Sequence, residues 1–209
     1  MSRARSSLGL ALVAAAFAAL AGLVASGAVN GLDQWACDHA MPLAGRPGAP
    51  PTFLESIVPL FHAGWHPLGV AITEVVTLPG QVLVSLVLVA LAAWKLRAPV
   101  WPAAWLGATV VEVGIRHLLT RPALYRQGIH AAAFDSSWPS GHALRCALLA
   151  AVVAAAWPRF RWALAAWLVA AVVLLELAGA HTPTDLAGGL LLALLAGGAA
   201  RAAGARRQP

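Results

Sequence analysis

Apolar and polar positions alternate in blocks along this chain rather than residue by residue. Six apolar runs stand out, at roughly 8–28, 69–94, 100–119, 140–157, 162–180 and 184–200. Several approach the ~20 residues a helix needs to cross a bilayer. The spacing predicts an all-α, polytopic membrane protein: a single domain of six transmembrane helices covering residues 1–209. Pro79-Gly80 interrupts the second run and divides it into an interfacial piece and a span that begins near Gly80. The longest polar stretch, 30–66, is read as an outer loop, with a turn-rich Arg46-Pro-Gly-Ala-Pro-Pro and a short interfacial helix over Phe53–Phe61. The first run has two readings: a signal peptide with small residues near Ala25–Ala28, or an uncleaved first helix, which its length favours.

Composition agrees with the pattern. Sixty per cent of the 209 residues are apolar and 11% charged, with a mean hydropathy of +0.77. A soluble domain of this size needs more polar surface to cover its core. The formal charge of +6 is not that of a nucleic-acid binder, because the cations sit in short clusters between apolar runs. With the amino terminus cytoplasmic, Arg3, Arg5, Lys95, Arg97, Arg159, Arg161, Arg201, Arg206 and Arg207 all fall in cytoplasmic segments, nine of fourteen cations, with no acidic residue among them. Both termini are then cytoplasmic. Cys37 and Cys146 are not expected to pair. Trp94, Trp101, Trp157 and Trp162 flank spans as an interfacial belt, and Gly188, Gly189, Gly197 and Gly198 allow close helix packing.

The same topology gathers the remaining ionisable groups at the extracytoplasmic face. Arg46, Arg116, Arg121, Arg126, Arg145, His117, His130, His142, His181, Asp135 and Asp185 fall in outer loops or near outer helix ends. Charges are costly in a bilayer and mark function when they collect. Trp138-Pro-Ser-Gly-His142 opens the fourth span, with Pro suited to a first turn and the N–H groups of Ser140, Gly141 and His142 free for a phosphate oxygen. His142 can exchange a proton near neutrality. The plainer reading is a turn and cap with an incidental histidine. In His181-Thr-Pro-Thr-Asp185, Thr182 caps the sixth span, and Asp185 is close enough to hold one nitrogen of His181 and leave the other as a nucleophile. The plainer reading there is a helix start with a dipole-favoured aspartate. Arg116 and Arg121 close the third span, and their guanidinium groups suit phosphate or lipid headgroups. Glu112, one turn before Arg116, can pair with it. His62 and His66 are four apart but lack a third ligand for a metal.

These elements together resemble the type 2 phosphatidic acid phosphatase family, the membrane branch of the superfamily that includes vanadium haloperoxidases. Its second motif, Pro-Ser-Gly-His, stands intact as Pro139 to His142, and the His and Asp of its third are His181 and Asp185. The resemblance implies attack of His181 on phosphorus, orientation by Asp185 and protonation of the leaving oxygen by His142; the residues themselves add Ser140, Gly141, Arg116, Arg121 and Arg145 as candidate phosphate ligands. It implies no metal and no cofactor. The chain departs from the family's Lys-x6-Arg-Pro: aligning Arg116 with the Lys puts Ala123 at the Arg, and aligning Arg121 with the Arg puts Gly114 at the Lys. The third motif's Ser-Arg falls on Leu174-Leu175. Arg145, three residues after His142, is either a replacement phosphate ligand or half of an ion pair with Glu176. The expected activity is hydrolysis of a lipid phosphate or polyprenyl diphosphate at the outer face. The rivals are a non-hydrolysing anionic-lipid binder or scaffold, and a phosphotransferase.

Overall fold

A computed structural model of the protein describes residues 3–41, 66–126 and 129–205. Eight α-helices carry these residues: α1 Arg3–Ala25, α2 Asn30–His39, α3 His66–Thr77, α4 Val82–Leu96, α5 Val100–Leu118, α6 Gly141–Ala156, α7 Arg161–Leu177 and α8 Pro183–Ala205. The one departure from an all-helical fold among them is a two-residue antiparallel ribbon, Tyr125–Arg126 with Ile129–His130. The expected break at Pro79-Gly80 is present as a 3-10 turn, Leu78–Gly80, and the helices on either side meet at 45°. The polar stretch 30–66 begins with a helix, α2, where a loop was expected. The interfacial helix over 53–61, and His62, fall outside the described residues.

By length and composition three segments can cross a membrane: Ser7–Ala25, Pro158–Leu177 and Pro183–Gly204. The bent pair Ala71–Gly80 and Val82–Leu96 would make a fourth. The apolar helix α6 is shorter, at 16 residues, and it is the central one. Leu144, Cys146, Leu148, Leu149, Ala150 and Val152 are all buried, so α6 is sheathed by its neighbours instead of facing lipid. The main core packs its Leu144, Leu148, Leu149 and Val152 with Val89 of α4, Trp101 and Trp105 of α5, and Leu192 of α8. Trp101 therefore belongs to the core, at 5% exposure, and not to the belt. Trp94 and Trp162 are exposed, as a belt requires.

Glycines set the closest approaches. A Cβ on Gly188 would lie 2.7 Å from Trp138 Nε1, and one on Gly189 would overlap the Ser140 carbonyl oxygen. These two glycines let α8 lie directly against the start of α6. At the far end, the Lys95 ammonium stands 4.6 Å from the Trp157 ring centroid. The ends of α4 and α6 that carry the basic clusters therefore meet there, away from the histidines.

Candidate functional site

Two local motifs set the histidines in place. Helix α7 ends in a Schellman turn: Gly179, at φ 66°, donates to Glu176 O at 2.8 Å, and Ala180 N–H donates to Leu175 O at 3.0 Å. The chain then passes through His181 into a capping box at the start of α8. Asp185 N–H donates to Thr182 Oγ1 at 3.4 Å, and Thr182 N–H donates to Asp185 Oδ2 at 3.0 Å. At the start of α6, Ser140 is the N-cap, its Oγ accepting from Ala143 N–H at 3.2 Å. The Ser140 N–H donates across to Asp185 O at 2.9 Å, which ties the two helix starts together. The expected three free N–H groups are thus reduced: Ser140 spends its own on α8, which leaves those of Gly141 and His142 in the first turn.

The imidazoles of His142 and His181 face each other across this junction, their ring centroids 6.0 Å apart. His142 lies in the first turn of α6 and His181 in the turn just before α8, and the fold brings them together. His181 is 7% exposed. Its Nδ1 stands 3.8 Å from Asp185 Oδ2, an ion-pair distance too long for a hydrogen bond, and has no hydrogen-bond partner among the described residues. Asp185 is occupied elsewhere. Its Oδ2 also accepts from Ser137 Oγ at 2.6 Å, and its Oδ1 from Arg121 Nη1 at 3.0 Å.

The arginines divide into two groups. Arg121, whose side chain is 2% exposed, lies between two carboxylates, with Nη2 at 2.6 Å from Asp33 Oδ2 and Nη1 at 3.0 Å from Asp185 Oδ1. This differs from the expected phosphate contact: both Nη donors serve buried acids. Arg116 and Arg145 share Glu112 instead. Arg116 Nη1 is 3.2 Å from Glu112 Oε1, as expected, and Arg145 Nη1 is 3.4 Å from Oε2. Arg145 Nε donates to Gly80 O at 2.8 Å. Its partner is thus Glu112, one helix over, and not Glu176. Both guanidinium groups lie within electrostatic reach of His142, and a Cβ on Gly141 would meet Arg145 Nη1 and Nη2 at 2.8 Å. Gly141 leaves room for these side chains against the first turn of α6.

Glu112 is 1% exposed, so its charge rests on those two arginines. Glu112→Ala would leave Arg145 buried without a counter-charge, at a cost of about 3–5 kcal/mol. Thermal unfolding in detergent should register this as a large drop in midpoint, and Glu112→Asp as a smaller one.

Other expected residues fall elsewhere. His117 is exposed, with Nδ1 2.7 Å from Val113 O. His130 pairs with Asp135 at 2.9 Å on the exposed ribbon segment. Cys37 and Cys146 are buried and not disulfide-bonded. Sequence reasoning missed Asp33, Ser137 and Thr184 as partners in the site. For Asp33 the available signal was its position just past the first apolar run, at the outer level where the other ionisable residues collect.

Residues 114–208 match the family model described as PAP2 superfamily. No curated protein and no solved structure matches the chain. The intact Pro139-to-His142 segment, His181 and Asp185 all lie inside the matched region, and the structure joins them at one junction of α6 with α8. The match to the PAP2 superfamily over residues 114–208 agrees with the family resemblance that the motifs carry.

Proposed function

We propose that the protein is a membrane phosphatase that hydrolyses a lipid phosphate or a polyprenyl diphosphate at the extracytoplasmic face, through a phosphohistidine. One observation carries the reading: the imidazole of His142 on α6 and that of His181 in the turn before α8 lie with ring centroids 6.0 Å apart, beside an aspartate and two arginines. A phosphoryl group between the rings would meet a nucleophile on one side and an acid on the other. In this reading α1, the α3–α4 pair and α5 to α8 form six spans with both termini cytoplasmic, so the site opens where a headgroup lies and the tail stays among the helices.

His181 attacks phosphorus through Nε2, the nitrogen turned away from Asp185. The bond from phosphorus to the leaving oxygen breaks, and His142 gives that oxygen its proton. Water then attacks the phosphohistidine, passing a proton to His142, and inorganic phosphate leaves. Developing negative charge on the phosphoryl oxygens is met by the Gly141 and His142 N–H groups at the positive end of α6 and by Arg116 and Arg145. Arg121 takes a different role in this scheme, holding Asp185.

The test is phosphate release from short-chain phosphatidate or prenyl diphosphate by the purified chain in detergent. Turnover is expected with divalent metal removed, and a chelator should leave it unchanged. Loss of turnover on chelation would replace this chemistry with a metal-assisted one. A binding role without turnover is the second reading, favoured by the commitment of Arg121 to carboxylates. Tight binding of phosphatidate with no phosphate released would establish it.

A further inference from the structure

The segment before the PAP2 match contributes to the site. Asp33, on α2, lies outside residues 114–208 and is fully buried. Its Oδ2 accepts from Arg121 Nη2 and from Thr184 Oγ1, each at 2.6 Å, and its Oδ1 accepts from Thr184 N–H at 3.2 Å. Asp33 therefore caps the first turn of α8 from another helix, one residue before Asp185. A continuous chain of contacts runs from Asp33 through Arg121 to Asp185, and on to His181 Nδ1 at 3.8 Å.

The charge count gives this arrangement a purpose. Attack on phosphorus puts positive charge on the His181 ring, and Asp185 is the anion beside it. Arg121 alone would neutralise Asp185 and cancel most of its attraction for that charge. Two carboxylates on one guanidinium leave the group with one net negative charge, in a region shut off from water where it is weakly screened. Arg121 fixes the position of Asp185, and Asp33 restores the charge that Arg121 removes.

We propose that Asp33 is a positioning residue for His181: it anchors α2 on the start of α8 and, through Arg121, keeps the Asp185 cluster net negative beside the nucleophile. The proposal rests on His181 as nucleophile, so its test needs a readout that does not depend on turnover. In the full-length protein, His181 modification by diethylpyrocarbonate is followed by mass spectrometry, with the exposed His117 and His130 as internal references. Asp33→Asn keeps the shape and removes the charge. It should slow His181 modification about tenfold, the order expected for one charge a few ångström beyond Asp185 at an effective dielectric of about 20, with His117 and His130 unchanged. Phosphate release should show the same loss in kcat, with KM changed less than about twofold.

Asp33→Asn/Arg121→Gln removes both charges and leaves Asp185 un-neutralised. Its His181 should react faster than in Asp33→Asn, a recovery that a purely structural bridge would not give. Wild-type reactivity of His181 in Asp33→Asn overturns the proposal, as does a double variant no more reactive than the single one. Should Asp33→Asn fail to fold, the double variant compared with wild type decides: reactivity within about threefold supports the proposal, and a tenfold loss overturns it. Wild-type protein that releases no phosphate while its His181 reactivity follows this pattern would defeat the phosphatase reading and leave the role of Asp33 standing.

Discussion

His181→Ala is expected to lower phosphate release by about 10^4-fold or more, the scale seen when a nucleophile is removed from a catalytic unit. The physical reason is that no other group takes its place. His142 is held on α6 with its ring across from His181, where the proposed scheme gives it the proton transfer, and the arginines carry no lone pair to attack. The fold should tolerate the change. His181 Nδ1 has no hydrogen-bond partner among the described residues, and the capping box that shapes this turn is made by Thr182 and Asp185. The unfolding midpoint of His181→Ala should stay close to that of wild type while the rate collapses. Rapid quench with radiolabelled phosphatidate should show an acid-labile label on wild type and none on the variant. Equal phosphate release by the two proteins would remove the phosphohistidine route altogether.

The second large effect is expected at His142, and it should depend on the substrate. As general acid, His142 matters most when the leaving oxygen is a poor leaving group, so His142→Ala should lose roughly 10^2–10^4-fold with a lipid phosphate. With an aryl phosphate, whose phenolate needs no proton to depart, the first step should be nearly restored. The second step would still lack the base that activates water. His142→Ala with an aryl phosphate should therefore give a burst of phenol equal to the enzyme present, followed by slow turnover, with label trapped on His181. A loss independent of the leaving group would show instead that the histidine only binds phosphate.

Both predictions depend on a junction that is partly local and partly long-range. The local part was legible. Thr182-Pro183 at the start of α8 and Pro139-Ser140-Gly141 at the start of α6 are short-range turn and cap chemistry. The apolar runs likewise gave the long helices, though not α2, because a block of about 20 apolar residues leaves few other options. The Glu112–Arg116 pair was legible for the same reason, four residues apart on one helix.

The choice of partner for each arginine was not legible. Glu176 and Glu112 are both reasonable acids for Arg145 in sequence, and only the packing of α5 and α6, with Gly141 allowing the approach, selects Glu112. Asp33 is 88 residues from Arg121, and nothing in the spacing joins them. Trp101 resembles a belt residue at the end of an apolar run, yet it packs in the core, because the helices surrounding α6 turn that face inward.

By itself, then, the chain determined its long apolar helices, the cap at Thr182 and which ionisable side chains a site could draw on, because those are set by contacts within a few residues. The tertiary structure decided which charges share a partner, that Arg121 is tied to Asp33 and Asp185, and that His142 on α6 and His181 in the turn before α8 lie opposite each other. Burial makes each ionic partner a choice between acids brought close by separate helices, and only the packed bundle fixes that choice.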